Sequence, residues 1–497
     1  MNRRQVLFNA LSAIGQLIGN AAMLFFLYRF LIHEVGIERL GVWSLLLATT
    51  SLVTLANQGL SMSIVKFVAR YAAQGGHADV SLLVETAMIT AGVTLGVLSV
   101  GLYPGARWAL SFVLPSARLA EGLAILPFAL ISLWLNVLGT IAQAGLAGHE
   151  LITICNYIEF AGSASYLALA FLFVPKHGLV GLAAAQVAQA AFGLAAAWHL
   201  LRRRVTELPL LPRHWSRARF QEMLGYGAQF QLITICQSLR EPTTKALLAK
   251  FAGLADTGFY DMAARLVVNL RELIVQANQV LVPTISSLGD GDRDVIRRMY
   301  RESYRVVFFL AVPSFAVLAM ASPVISELWI GRYEPVFVRF TSILAVGWLF
   351  NVLCNPAYVV DLGTGSLRWV SIGCAVTAVL NAGLGLAAGE LAGATAIVAA
   401  AVISLIAGYL IILIAYHREA NESVRMLLPR ESRTILALSV GSGLALLTLL
   451  HSGEPAAASP LTFACAALIL AALVAIPVWT HPIRRRLFQW LTAEITS

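Results

Sequence analysis

Apolar runs of about 20 residues recur along the whole chain, each long enough to cross the hydrocarbon core of a bilayer as a helix. They fall at 7–31, 41–65, 82–104, 122–146, 151–175, 178–201, 224–249, 256–284, 304–322, 336–357, 366–388, 391–416, 434–451 and 460–480. The pattern predicts an all-α, polytopic membrane protein of about 14 transmembrane helices. The first run follows Met1-Asn2-Arg3-Arg4. It is too long for a cleaved signal segment and has no small-residue cleavage site, so it reads as an uncleaved first span. The seventh and eighth runs break the apolar pattern. Between Leu224 and Leu288 they carry Arg240, Glu241, Lys245, Lys250, Asp256, Asp261, Arg265, Arg271 and Glu272. Charges at membrane depth cost roughly 2.5–3.5 kcal/mol each on insertion scales, and they face a wet interior or a partner. These two helices are therefore expected to line a hydrated cavity.

Composition agrees with the pattern. The chain is 59% hydrophobic and 12% charged, where a soluble chain carries about 25% charge. Four of its 35 basic residues are Lys and the rest Arg, and they map to the connections between runs. With the N-terminus inside, the inner side collects Arg202, Arg203, Arg204, Arg213, Arg217 and Arg219 in one connection. It collects Arg293, Arg297, Arg298, Arg301 and Arg305 in another, and Arg418, Arg425, Arg430 and Arg433 in a third. This excess of inner arginine predicts an even number of spans with both termini in the cytoplasm. The basic residues do not interleave with aromatics on a polar surface, so the net charge of +9 does not point to nucleic acid. Five scattered cysteines have no metal-ligand spacing and read as packing residues; no metal or cofactor is expected.

The chain also repeats itself. Gly36 to Trp43 reads GIERLGVW, and 217 residues later Gly253 to Tyr260 reads GLADTGFY. Each has a glycine, four residues, a second glycine, a hydrophobe and an aromatic. Glycine permits a tight turn, and the aromatic suits a membrane interface. Asn57-Gln58 matches Asn278-Gln279 at an offset of 221, and Pro104 matches Pro323 at 219. The order of these matches implies two six-helix bundles, 1–201 and 224–416. A basic cytoplasmic linker at 202–223 joins them, and 417–497 adds a hinge-like segment and two extra transmembrane helices. Six spans per half give both copies one orientation, as in transporters built from parallel repeats.

These features resemble the polysaccharide-exporter, or oligosaccharide flippase, branch of the multidrug/oligosaccharidyl-lipid/polysaccharide exporter superfamily. The resemblance rests on the paired turns, the six-plus-six layout, the Asn-Gln pairs late in spans two and eight, and ASPVISELWIGRYEP from Ala321 to Pro335. It covers essentially the whole chain. It implies a flippase for undecaprenyl-diphosphate-linked oligosaccharide, such as O-antigen or exopolysaccharide units, in the bacterial cytoplasmic membrane. Its expected partners are that lipid-linked oligosaccharide, membrane lipids, and polysaccharide polymerase and export proteins.

Arg240 lies midway along the seventh run, two residues before a helix-kinking Pro242. It can bond backbone carbonyls freed at the kink, or face a diphosphate from the cavity. Arginine suits the second role because its planar fork binds phosphate oxygens and stays protonated. Glu241 with Lys245, and Asp261 with Arg265, are four apart and can neutralise each other. Arg271 is the second candidate for the anionic headgroup. Glu272 lies about 100° away from it around the helix, so the two need not meet. Glu272 and Asp261 are candidate coupling-ion residues. Asn20, Gln237, Asn57 and Asn278 supply neutral donors and acceptors for sugar hydroxyls, or simply join helices. Glu85, Glu159 and Asp361 sit near span edges, where solvation is the ordinary state.

Three functions remain to be weighed. The first is the alternating-access flippase. The second is a cation-coupled multidrug exporter on the same fold, although the first span lacks the acidic residue typical of that branch. The third is a membrane-embedded polysaccharide assembly enzyme, which the short outer loops disfavour. No Walker-type phosphate loop and no nucleophile with a base and orienting acid are evident, so no enzyme is expected.

Overall fold

The computed structural model describes residues 3–279, 293–364 and 366–452, with 472, 475–476, 478–479 and 481; stretches of side chain, among them those of 3–14, 49–60, 224–234, 276–279 and 443–452, are outside the description. Among the described residues the chain is helical and has no strand. The helices are α1 (Arg3–Glu34), α2 (Ile37–Ala73), α3 (His77–Val113), α4 (Ser116–Gly148), α5 (Ile152–Arg204) and α6 (Arg217–Phe251). They continue as α7 (Leu254–Gln279), α8 (Arg293–Ile330), α9 (Pro335–Thr364), α10 (Arg368–Glu419) and α11 (Arg433–Ser452). Each of the first thirteen apolar runs lies on one of these helices as far as it is described. The fourteenth, 460–480, falls outside the described residues. Six of the helices are long and apolar enough to cross a membrane by length and composition.

Two helices are hairpins. α5 has non-helical backbone at Gly178 (φ 55°, ψ −134°) and α10 at Gly393 (φ 75°, ψ −163°). A Cβ on Gly181 would stand 2.4 Å from the carbonyl oxygen of Phe173. Residues eight apart on a straight helix are about 12 Å apart along its axis, so the chain has turned back. A Cβ on Gly373 would likewise stand 2.5 Å from the carbonyl oxygen of Gly408, on the other arm of α10. Only glycine takes these backbone angles without strain. The two reversals are 215 residues apart, close to the offsets of the sequence repeat.

The chain forms two compact units, Met1–Gly258 and Phe259–Ser497. In the first, α5 packs on α4 and α1, and α2 packs on α4, α3 and α6. α6 belongs by repeat to the second bundle but packs here, against α2 and α3. Outward faces are apolar: Val93, Val97 and Val100 of α3 form an exposed stripe suited to lipid. In the second unit, α9 lies against α8 and α10, and α11 against α8. Tyr300, Tyr304, Phe308 and Phe309 of α8 and Tyr416 of α10 form its aromatic core.

The paired turns meet within the first unit. Gly36 and Gly253 both take positive φ, 81° and 98°. Each amide donates to a leucine carbonyl five residues back, Leu31 or Leu248. A Cβ on Gly41 would lie 1.9 Å from the carbonyl oxygen of Leu254, and one on Gly258 would lie 2.8 Å from that of Ile37. The second glycine of each motif thus receives the backbone that follows the first glycine of the other. The motif aromatics are not interfacial as expected. Trp43 is buried in the first unit, and Tyr260 is buried in the second, edge-on to the Phe340 ring.

The connection 205–216 is not a loose linker. Glu85 of α3, expected to be solvated, is buried. Its carboxylate accepts the amides of Arg213 (2.7 Å) and His214 (3.0 Å) and lies 3.1 Å from His214 Nδ1. Along the same face, Ser81 donates to the Glu207 carbonyl, Thr86 accepts from the Ser216 amide, and Thr90 accepts from Trp215 Nε1. Trp198 and Arg202 of α5 donate to the carbonyls of Leu210 and Leu208. His149, between α4 and α5, has its pKa lowered first by burial and then by the charges of Arg204 and His77. Both effects favour the neutral imidazole. The segment after α10 is held in a similar way: Arg301 of α8 pairs with the buried Glu422 (3.0 Å), and Tyr304 donates to the Leu427 carbonyl. Asp361 of α9, also expected to be solvated, is buried because the end of α9 is covered within the second unit.

Replacing Gly41 by Ala is expected to destabilise the protein by about 1–3 kcal/mol, since the backbone it meets must shift. Gly101→Ala, at an open helical position, is expected to be neutral or stabilising by about 0.5–1 kcal/mol. Thermal unfolding of the detergent-solubilised pair checks the contrast.

Candidate functional site

Each unit holds part of the polar set. In the first, Gln16 of α1 donates to Glu159 of α5 and ties the two helices together. Asn20 is half-buried one turn on, and its Oδ1 is buried with no hydrogen-bond partner among the described residues. Gln237 is exposed and Arg240 half-buried on α6. The side chains of Asn57 and Asn278 lie outside the described residues.

Around Arg240 the helix is adapted to Pro242. Proline supplies no amide and displaces the carbonyl four residues before it. On the next turn Thr243 and Thr244 turn their hydroxyls back to the carbonyls of Leu239 (2.7 Å) and Arg240 (3.0 Å). Such back-bonding favours a bend. Lys245 is fully buried, and its Nζ is 2.7 Å from Glu241 Oε1. Burial of an ammonium demands such a partner.

In the second unit Asp261 and Arg265 form the other predicted pair, at 3.0 Å, with Asp261 buried. Two turns further along α7, Arg271 and Glu272 do meet, in an ion pair. Side chains of this length bridge the angle between neighbouring positions. Arg271 Nε donates to Asn351 Oδ1 of α9 at 2.9 Å, and the guanidinium lies 5.3 Å from the Trp348 ring centroid. Trp348 and Asn351 are one turn apart on α9, so they present one face to the arginine. Tyr409 of α10 also interacts with Asn351 and Arg271.

The donor balance of this cluster is uneven. A guanidinium only donates, so Asn351 must turn its oxygen to Arg271 and its amide nitrogen away. That nitrogen is buried and makes no well-formed hydrogen bond among the described residues, its nearest described acceptor being the Tyr409 hydroxyl with which Asn351 interacts. Arg271 spends Nε on Asn351 and Nη1 on Glu272. A buried unsatisfied donor costs about 1–3 kcal/mol. An acceptor-rich group such as a phosphate or a sugar hydroxyl relieves that cost.

Of the residues expected from sequence, the structure brings Arg271 and Glu272 together and gives Asp261, Glu241 and Lys245 partners on their own helices. Sequence reasoning missed Trp348, Asn351 and Tyr409. A usable signal was present in the pair Asn351 and Asn355, one turn apart in an otherwise apolar run. Among the described residues no group of His, Cys, Asp and Glu is placed to hold a metal.

Comparisons with known proteins follow this geometry. A family model described as "Polysaccharide biosynthesis protein" matches residues 35–336. No curated protein matches the chain. Among solved structures, a lipid II flippase MurJ in an inward closed conformation is similar at a TM-score of 0.72 and 12% identity, covering 95% of this chain and 98% of that one. An inward-facing multidrug resistance MATE family transporter of the MOP superfamily is similar at 0.71 and 14%, covering 82% and 98%. A Vibrio cholerae MATE transporter is similar at 0.63 and 14%, covering 86% and 98%. At these identities the likeness shows the fold.

Asn351→Leu is expected to cost about 1.5–3 kcal/mol, the worth of a hydrogen bond to a charged group. The loss is read as a lowered midpoint of thermal unfolding. An unchanged midpoint contradicts the pairing with Arg271.

Proposed function

Because the chain belongs to the polysaccharide biosynthesis protein family, in the polysaccharide-exporter branch of the multidrug/oligosaccharidyl-lipid/polysaccharide exporter superfamily, we propose that it is a flippase for undecaprenyl-diphosphate-linked oligosaccharide. The cargo is an O-antigen or exopolysaccharide unit. Translocation crosses the bacterial cytoplasmic membrane by alternating access, with both termini of the protein in the cytoplasm. A lipid-linked flippase or exporter, rather than an enzyme, is the class that the family and the fold support.

The observation that carries the reading is the donor surplus at Arg271 and Asn351. A diphosphate supplies the missing acceptors. Asn351 and Trp348 hold the guanidinium in place, so little side-chain entropy is lost when the anion arrives. Glu272 accepts from Nη1 of Arg271. Sharing that donor with an incoming phosphate makes Glu272 the coupling group we favour; Asp261 is engaged with Arg265. Arg240 is the corresponding cation we assign to the first unit, beside the Pro242 bend. Asn20 and Gln237, with Asn57 and Asn278, are assigned to the glycan. A polymerase and export proteins are the partners proposed to receive the product.

A cation-coupled drug exporter is the second reading, favoured by likeness to MATE transporters. Drug susceptibility that rises on deletion of the gene supports it, and unchanged susceptibility with lost surface glycan supports the flippase.

Arg240→Gln with Arg271→Gln is expected to lower translocation in reconstituted vesicles by about 10-fold or more, as loss of one or more charge-assisted hydrogen bonds requires. Insertion should persist, with an unfolding midpoint lowered about as far as that of Asn351→Leu, which serves as the control with both arginines intact. Translocation at the parent rate by that double variant refutes the assigned headgroup contacts.

A further inference from the structure

The strap between α5 and α6 turns an unusual surface outward. Leu210 and Leu211 stand between Pro209 and Pro212 and are 67% and 64% exposed; Trp215 is 49% exposed. Their backbone is not free to bury them. Glu85 holds the amides of Arg213 and His214, Trp198 holds the Leu210 carbonyl, and Thr90 holds the Trp215 indole nitrogen. Two prolines further restrict the chain. Apolar side chains fixed outward in this way need a covering.

Charge tells which covering. Arg203, Arg204, Arg213 and Arg217 are exposed around the apolar group. Arg219 is set apart by its ion pairs with Asp79 and Glu222. Glu207 is the one acidic residue from 202 to 219. The strap leaves the apolar α5, long enough to cross a membrane, at its arginine-rich end and leads into the more polar α6, so it sits where bilayer meets water. Leucines and a tryptophan belong in the interfacial layer, and arginines beside them meet anionic headgroups.

We propose that residues 203–217 form a preformed docking surface for anionic phospholipid. Leu210, Leu211 and Trp215 enter the interfacial layer, and the four exposed arginines bind headgroup phosphates. Occupancy anchors the connection between α5 and α6 to the membrane surface. This site is separate from the cargo contacts and is independent of the transported molecule.

The full-length protein is reconstituted in phosphatidylcholine vesicles carrying either brominated phosphatidylcholine or brominated phosphatidylglycerol at equal fraction. The Trp215 signal is the difference between the parent and Trp215→Phe. The expected result is quenching of that signal by both lipids, roughly twofold stronger with phosphatidylglycerol, as attraction of several arginines to anionic lipid implies. Replacing Arg203, Arg204, Arg213 and Arg217 by Gln should abolish the preference and leave the phosphatidylcholine quenching in place. Equal quenching by the two lipids in the parent overturns the anionic site. A Trp215 signal reached by iodide and by neither lipid overturns docking altogether and points to a protein partner. The variants lie on the exposed surface, and an unaltered gel-filtration profile shows that they fold.

Discussion

Two peptide backbones approach one another through two glycines, and the first unit is arranged around that approach. Gly41 receives Leu254 and Gly258 receives Ile37. No side chain can stand at either point. The crossing is reciprocal, so it relates the GIERLGVW and GLADTGFY turns as equivalents in space as well as in sequence. Small residues at such points let helices approach closely in a bilayer, where the hydrophobic effect does not drive helix against helix. The aromatic that follows each pair is buried.

The connections at the feet of the helices obey a second rule. Buried carboxylates hold them: Glu85 binds two amides of the strap, and Glu422 pairs with Arg301. A carboxylate that accepts several donors tolerates burial that would otherwise force it to neutralise. The polar interior of this protein is therefore mostly committed to architecture. Lys245 with Glu241 and Asp261 with Arg265 are further instances. Against that background the Arg271 cluster is distinctive, since its guanidinium is shared between a neutral amide on another helix, an aromatic face and a neighbouring carboxylate.

Much of this was legible from sequence, for physical reasons. Apolar run length fixes where a helix can cross a membrane, so the helices were readable as far as they are described. Pairs four residues apart were readable because helix geometry brings them together. Arg271 with Glu272 was not, because angular separation at the backbone says little about where long side chains end. Asn351 and Trp348 were not, because their meeting with Arg271 spans some eighty positions. Glu85 read as solvated since its partners are backbone amides more than a hundred residues away, which no local pattern reports. Trp43 and Tyr260 read as interfacial because composition cannot reveal which aromatics tertiary packing covers, as Phe340 covers Tyr260 from eighty positions away.

The glycine reversals in α5 and α10 bear on how the chain enters its membrane. An arm joined to its neighbour through one residue cannot adopt an orientation of its own. Residues 152–177 and 179–204 must pass into the bilayer as a pair, and the two arms of α10 likewise. Arg202, Arg203 and Arg204 stand at the base of one pair, and Arg368 and Arg418 at the base of the other, away from the glycine tips. Biogenesis of each pair is then a single two-armed step, and a stop between its arms is not open to the machinery that inserts it.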